Sequence, residues 1–138
     1  MKSKILILTI IIACISCTNK LQKYEDEGHV YISNARKALS KGDYKKAMFY
    51  IESLRRECSK ALNAREEGIL VMDSAQMYEA RVQLDSMSKV VEAFRLVADS
   101  TSPADRQKLF NNDILLDEAV AKVMFYEKKI EHDKNKKN

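Results

Sequence analysis

Very little in this chain can stop a helix. Gly28, Gly42, Gly68 and Pro103 are its only glycines and its only proline. In a helix interior glycine costs about 1 kcal/mol and proline about 3 kcal/mol relative to alanine, so the sequence offers few places to end one. Between those breakers Ala, Leu, Lys, Glu, Met and Arg, all good helix formers, are abundant. No stretch alternates apolar and polar residues for long between turn signals, as a half-buried strand requires. The fold class is predicted all-α, built from antiparallel helical hairpins.

Periodicity places the helices. From Leu21 to about Ser40, the apolar residues Leu21, Tyr24, Val30, Tyr31, Ala35, Ala38 and Leu39 recur at three- and four-residue steps, which marks one helical face. Gly28 weakens the first turns, so ordered helix is expected from near His29. Gly42 suits a left-handed C-terminal position and Asp43 can cap the next helix. That helix runs from about Tyr44 to Cys58, with Tyr44, Ala47, Met48, Ile51 and Leu54 inward. A third runs from about Ala61 to Ala98. In it Ala80, Met87, Val90, Phe94 and Val97 form the seam of a packed pair. At ~1.5 Å per residue such a helix is ~50 Å long. Ser102, Pro103 and Asp105 read as an N-cap, a first-turn proline and an acid bonding back to the cap. The last helix reaches about Ile130 with Leu109, Leu116, Val120, Val123 and Ile130 on its seam. The short connection returns it antiparallel to the third as a coiled-coil-like hairpin.

The stretch "YISNARKALSKGDYKKAMFYIESL" resembles a tetratricopeptide repeat, a pair of antiparallel helices. Tyr31 stands where that repeat favours a large aromatic. Ala35 and Ala47 are its small contacts, Gly42 and Tyr44 match its turn, and Ile51 and Leu54 complete its packing face. Asn34, Ala38 and Ser59 depart from the pattern. One copy is visible where a self-supporting solenoid wants at least three, so the remainder of the chain is expected to complete the hairpin.

The N-terminus carries an address. Lys2 and Lys4 precede an apolar run, Ile5–Ile15, of about 11 residues; a membrane-spanning helix needs ~20, so a cleaved signal is the better fit. Cys14-Ile15-Ser16-Cys17 resembles the bacterial lipobox, with Cys14 where leucine is usual. The resemblance implies a signal peptide over 1–16 and Cys17 as the acylated N-terminal residue, carrying fatty chains such as palmitate. Stable anchorage generally takes more than one chain, at ~0.8 kcal/mol per buried CH₂. Thr18 follows where an inner-membrane retention signal would have Asp, which implies an outer-membrane lipoprotein, periplasmic or surface-facing. Glu25-Asp26-Glu27 is an acidic cluster that resembles a surface-export signal but lies further from the anchor than such signals usually do. The wider segment from Lys37 to Met87 is also similar to a group of uncharacterised helical lipoproteins of Gram-negative bacteria. The resulting division is signal peptide 1–16, flexible tether 17–28, one helical domain 29–132 and a disordered basic tail 133–138.

Charge and chemistry narrow the function. The formal charge of +4 falls to +2 once Lys2 and Lys4 leave with the signal peptide, and no nucleic-acid partner is expected from so balanced a chain. Cys58 is the one thiol beyond Cys17, so no internal disulfide is expected, and burial as a small hydrophobe suits it. His29 and His132 are expected exposed and non-catalytic. Glu127, Glu131 and His132 share part of a helix face, as a solvated helix end also would. No metal, cofactor or enzymatic activity is predicted. Phe49, Tyr50 and Tyr78 are the candidate partner-binding residues, because exposed aromatics dominate binding hot spots; packing of Phe49 and Tyr50 against the third helix is the alternative. The function expected is a lipid-anchored adaptor or scaffold with an envelope protein partner. A coiled-coil homo-oligomer serving as a spacer is the other reading.

Overall fold

A computed structural model describes the backbone of residues 2–99 and 101–136, with side chains from Lys20 onward. The expected signal peptide 1–16 and the expected acylation site Cys17 lie outside the residues whose side chains are described. Among the described residues there are helices and no strands: α1 (Lys2–Ser40), α2 (Tyr44–Glu57), α3 (Leu62–Val97) and α4 (Pro103–Asn135). Contacts divide the chain into two units, Met1–Val71 and Met72–Asn138.

In the first unit α1, α2 and the start of α3 share a small core of Ile32, Ala35, Ala38, Ala47, Ile51, Leu54, Cys58, Ala61 and Ala64. The expected α1 face is corrected in phase. Val30 and Leu21 are 58% and 53% exposed, while Ile32 is buried. The stripe is set by Gly28, which the helix runs straight through. A Cβ built on Gly28 would stand 2.7 Å from the Cβ of Ala64 and 3.0 Å from that of Ala61. Gly28 therefore serves close helix approach, and residues 20–28, expected as part of a flexible tether, are helical.

The connection from α1 to α2 forms as expected. Gly42 has φ +76°; its N–H donates to the Leu39 carbonyl at 2.9 Å and the Asp43 N–H to that of Ala38 at 3.0 Å. That pair of bonds satisfies helix-end carbonyls by the Schellman arrangement. The Asp43 carboxylate then accepts from the Lys46 N–H at 3.0 Å, capping α2. Of the other residues expected to pack this hairpin, Ala35, Ala47, Ile51 and Leu54 are fully buried and Tyr31 and Tyr44 half-buried.

In the second unit the remainder of α3 packs against α4 as a hairpin. Its seam on α3 is Ala80, Leu84, Met87, Val91 and Phe94, followed by Ala98 just past the helix end, all buried or half-buried. Val90 and Val97, expected there, are 63% and 77% exposed, and Val91 takes the buried place. The four–three step that starts at Ala80 reaches 91, not 90. On α4, Val123 and Ile130 are buried, Leu109 and Leu116 half-buried, and Val120 is 40% exposed. Ser102 caps α4 by accepting from the Asp105 N–H at 3.4 Å. The Asp105 carboxylate does not return to Ser102; it accepts from the Asp99 N–H at 3.1 Å, because the Ser102 N–H already donates to the Asp99 carbonyl at 3.0 Å. At the far end α4 continues beyond Ile130 to Asn135. Residues 133–135, assigned by sequence to the disordered tail, are thus helical. Lys134 and His132 lie in this last turn, where positive charge is favourable to a helix C-terminus.

Candidate protein-docking surface

Helix α4 is apolar on two opposite sides. Leu109, Leu116, Val123 and Ile130 stand at seven-residue intervals and face α3. A second series, Phe110, Ile114, Asp117, Ala121, Met124 and Lys128, follows the four–three step on the outward side. Phe110 is 62%, Ile114 43%, Met124 48% and its neighbour Phe125 60% exposed. A lone exposed apolar side chain is ordinary, but a contiguous row along one helix marks an interaction surface. Phe125 and Tyr126 meet edge-on with centroids 5.3 Å apart, so the exposed ring is braced by a half-buried one.

The hairpin beneath that row is pinned by ion pairs. Arg81 reaches Glu127 at 2.6 Å, and Arg95 pairs with Asp113. Lys129 Nζ meets the Asp73 carboxylate at 2.7 Å, with the Asp73 side chain 2% exposed. A buried carboxylate needs such a partner, since an isolated one costs several kcal/mol to keep charged out of water. These pairs hold α4 in rotation about its own axis, so its second face points away from α3. Glu127, which shares part of a helix face with Glu131 and His132, pairs with Arg81; among the described residues no cluster of His, Cys, Asp and Glu could hold a metal ion.

The sequence-derived aromatic candidates are distributed over both units. Phe49 is 57% exposed and lies opposite the buried side of α2. Its ring meets that of Tyr50 at 6.0 Å, edge-on. Tyr50 is half-buried and borders a cleft with Asn34, Lys37 and Ala38 of α1. Tyr78, on α3, is 48% exposed.

Titratable groups were also gathered in a way the sequence hides. Glu67 on α3 binds Arg36 and lies 3.3 Å from Nδ1 of exposed His29. Ser33 borders the same open cleft, but among the described residues it makes no hydrogen bond to His29, so no nucleophile–base contact exists there. The group ties α1 to α3 through charge. Tyr31 donates to Glu57 across α1 and α2. That bond raises the Tyr31 hydroxyl above its ordinary pKa and lowers the Glu57 carboxyl. Cys58 is buried, and desolvation, reinforced by Glu27 and Glu57, pushes its thiol up, away from the thiolate a nucleophile needs.

The acidic trio Glu25–Glu27 in the second half of α1 is used internally. The Glu25 carboxylate accepts from the N–H groups of Asn63 at 3.1 Å and Ala64 at 3.0 Å, capping α3 from another helix. Helix α3 has no acid in its own first turn, so Glu25 supplies the negative charge that its N-terminus favours. Asp26 accepts from Gln22 at 2.9 Å, and Glu27 lies 3.8 Å from Lys23.

Among the described residues no helix is long and apolar enough to cross a membrane. Compared with known protein families, curated proteins and solved structures, the chain matches none of them.

Proposed function

We propose that this chain is a lipid-anchored helical scaffold of the cell envelope, tethered through Cys17, that works as an adaptor by binding protein. The single observation that carries the binding part is the outward face of α4, where Phe110, Ile114, Met124 and Phe125 stay exposed on a helix that already buries its opposite side. Water-exposed apolar area of this kind favours association by ~25 cal/mol per Å² covered. Phe49 and Tyr78 supply further exposed aromatic anchors. The anchor part is supported by the lipobox-like residues ending at Cys17, and Thr18 favours the outer membrane.

The test is cross-linking in intact cells from a photoreactive residue placed at Phe49, Tyr78 or Phe125. An adaptor is expected to give adducts with another envelope protein from at least one of these positions, and no adduct from any of them contradicts protein binding. The second reading, a homo-oligomeric spacer without a dedicated ligand, is favoured by the heptad spacing of the α4 face. It is supported instead if every position returns only adducts of the chain with itself.

A further inference from the structure

Resting on the reading of the outward α4 face as a docking surface, the geometry points to its occupant. We infer that α4 of a second copy of this chain lies on it, antiparallel, with Asp117 of each copy against Lys128 of the other.

The face has the repeat that two packed helices need. Phe110, Asp117 and Met124 occupy one heptad position and Ile114, Ala121 and Lys128 the other. Two of these six seam residues are charged, one acid and one base. The ion pairs on the inner side and flanks of α4 use Asp113, Glu127 and Lys129, and Lys122 donates to Gln83 at 3.3 Å. Asp117 and Lys128 take part in none of these. The face therefore carries a complementary pair that α3 does not consume.

That pair selects the arrangement. A parallel, in-register dimer sets Asp117 against Asp117 and Lys128 against Lys128, two repulsive layers. An antiparallel pairing with Asp117 across from Ala121 gathers the Asp117 and Glu118 carboxylates of both copies at its centre without a cation. Setting Asp117 across from Lys128 gives two reciprocal ion pairs, and the same axis places Ala121 against Met124 in two small-to-large layers. This is a self-complementary twofold contact, the commonest way in which like chains associate. The same axis sets Ile114 across from Glu131 and Phe110 across from Asn135, so Met124 and Phe125 give most of the apolar cover, on the order of 200 Å² on each copy. A standard interface takes ~800 Å² per partner, the remainder coming from the polar rim. So small a contact is weak in solution, and confinement of tethered copies to one membrane raises their effective concentration.

The experiment uses the full chain in intact cells, with the photoreactive residue at Phe125 beside the seam. Self-adducts are expected from the otherwise native chain. Asp117→Lys alone and Lys128→Asp alone each replace attraction with repulsion at two sites, for roughly a tenfold loss of self-adduct. The double variant D117K/K128D restores it. Thermal unfolding followed by circular dichroism checks that each variant folds, which neither site should disturb. Single variants without effect, or a double variant that fails to recover, overturn the inference. Adducts from Phe125 to a different protein alone overturn it too, while leaving the docking surface in place. Absence of any adduct at Phe125 overturns both.

Discussion

Gly28 and Gly68 look alike in the sequence, each a glycine within a helical stretch, yet their surroundings assign them different weight. Alanine at Gly28 would drive a Cβ to 2.7 Å from another Cβ, one that cannot swing aside. Overpacking of that kind costs about 1–3 kcal/mol, more than the roughly 1 kcal/mol gained in helix propensity. At Gly68 the nearest atoms are methyl ends of Leu54, Ile32 and Ile51 at 3.2–3.5 Å, which can give way. Urea unfolding is expected to find Gly28→Ala destabilised by about 1–2 kcal/mol and Gly68→Ala near neutral. Equal effects would contradict the close approach of α1 and α3. The same residue shows why sequence reading misplaced the α1 face. Gly28 counts as a breaker when only its propensity is visible, and phasing the stripe without it put Val30 inside and left out Ile32. Glu25 was likewise illegible. Its partners are the Asn63 and Ala64 amides, and no local pattern announces a cap supplied from another helix.

Each helix boundary was readable to within a residue or two wherever local chemistry sets it. Gly42-Asp43 and Ser102-Pro103 act through their own neighbours, so the turn and the caps followed from the residues alone. Seam registry was less legible, because Val90 and Val91 are both β-branched and adjacent, and only the arrival of α4 decides which is covered. The buried partner of α4 is a further case. Asp73 falls within α3 and Lys129 within α4, far apart in sequence. Their contact at 2.7 Å gives the hairpin an asymmetric vulnerability. Removing the base leaves a carboxylate buried without compensation, a loss of 3–5 kcal/mol in fully buried pairs. Lys129 is 40% exposed, so solvent screens part of this and about 2 kcal/mol is the expected cost of Lys129→Ala. Asp73→Asn removes the charge with the pair and should cost less. Denaturant unfolding of the two variants checks the order, and a costlier Asp73→Asn would contradict it.

For the chain as a whole, composition was the strongest guide to architecture. With so few breakers the all-helical hairpins followed directly, and each unit forms its own packing. The candidate docking surface is harder to see in the sequence, since a helix with two opposed apolar sides has little net amphipathicity. Only once α3 has claimed Leu109, Leu116, Val123 and Ile130 does the row from Phe110 to Phe125 stand out as left over. Aromaticity alone marks Phe49, Tyr50 and Tyr78 in the sequence; the first and third are exposed, and Tyr50 is half-buried beside α1. In the proposed function a lipid-anchored scaffold is held near its partners through Cys17, and that proposal rests on one thiol. Metabolic labelling with a fatty-acid probe addresses it directly, comparing the native chain with Cys17→Ala. The native chain is expected to take up label, lose residues 1–16 and fractionate with membranes, whereas Cys17→Ala stays unlabelled and keeps its leader. A native chain that takes up no label, or a Cys17→Ala chain labelled as strongly, would contradict the account.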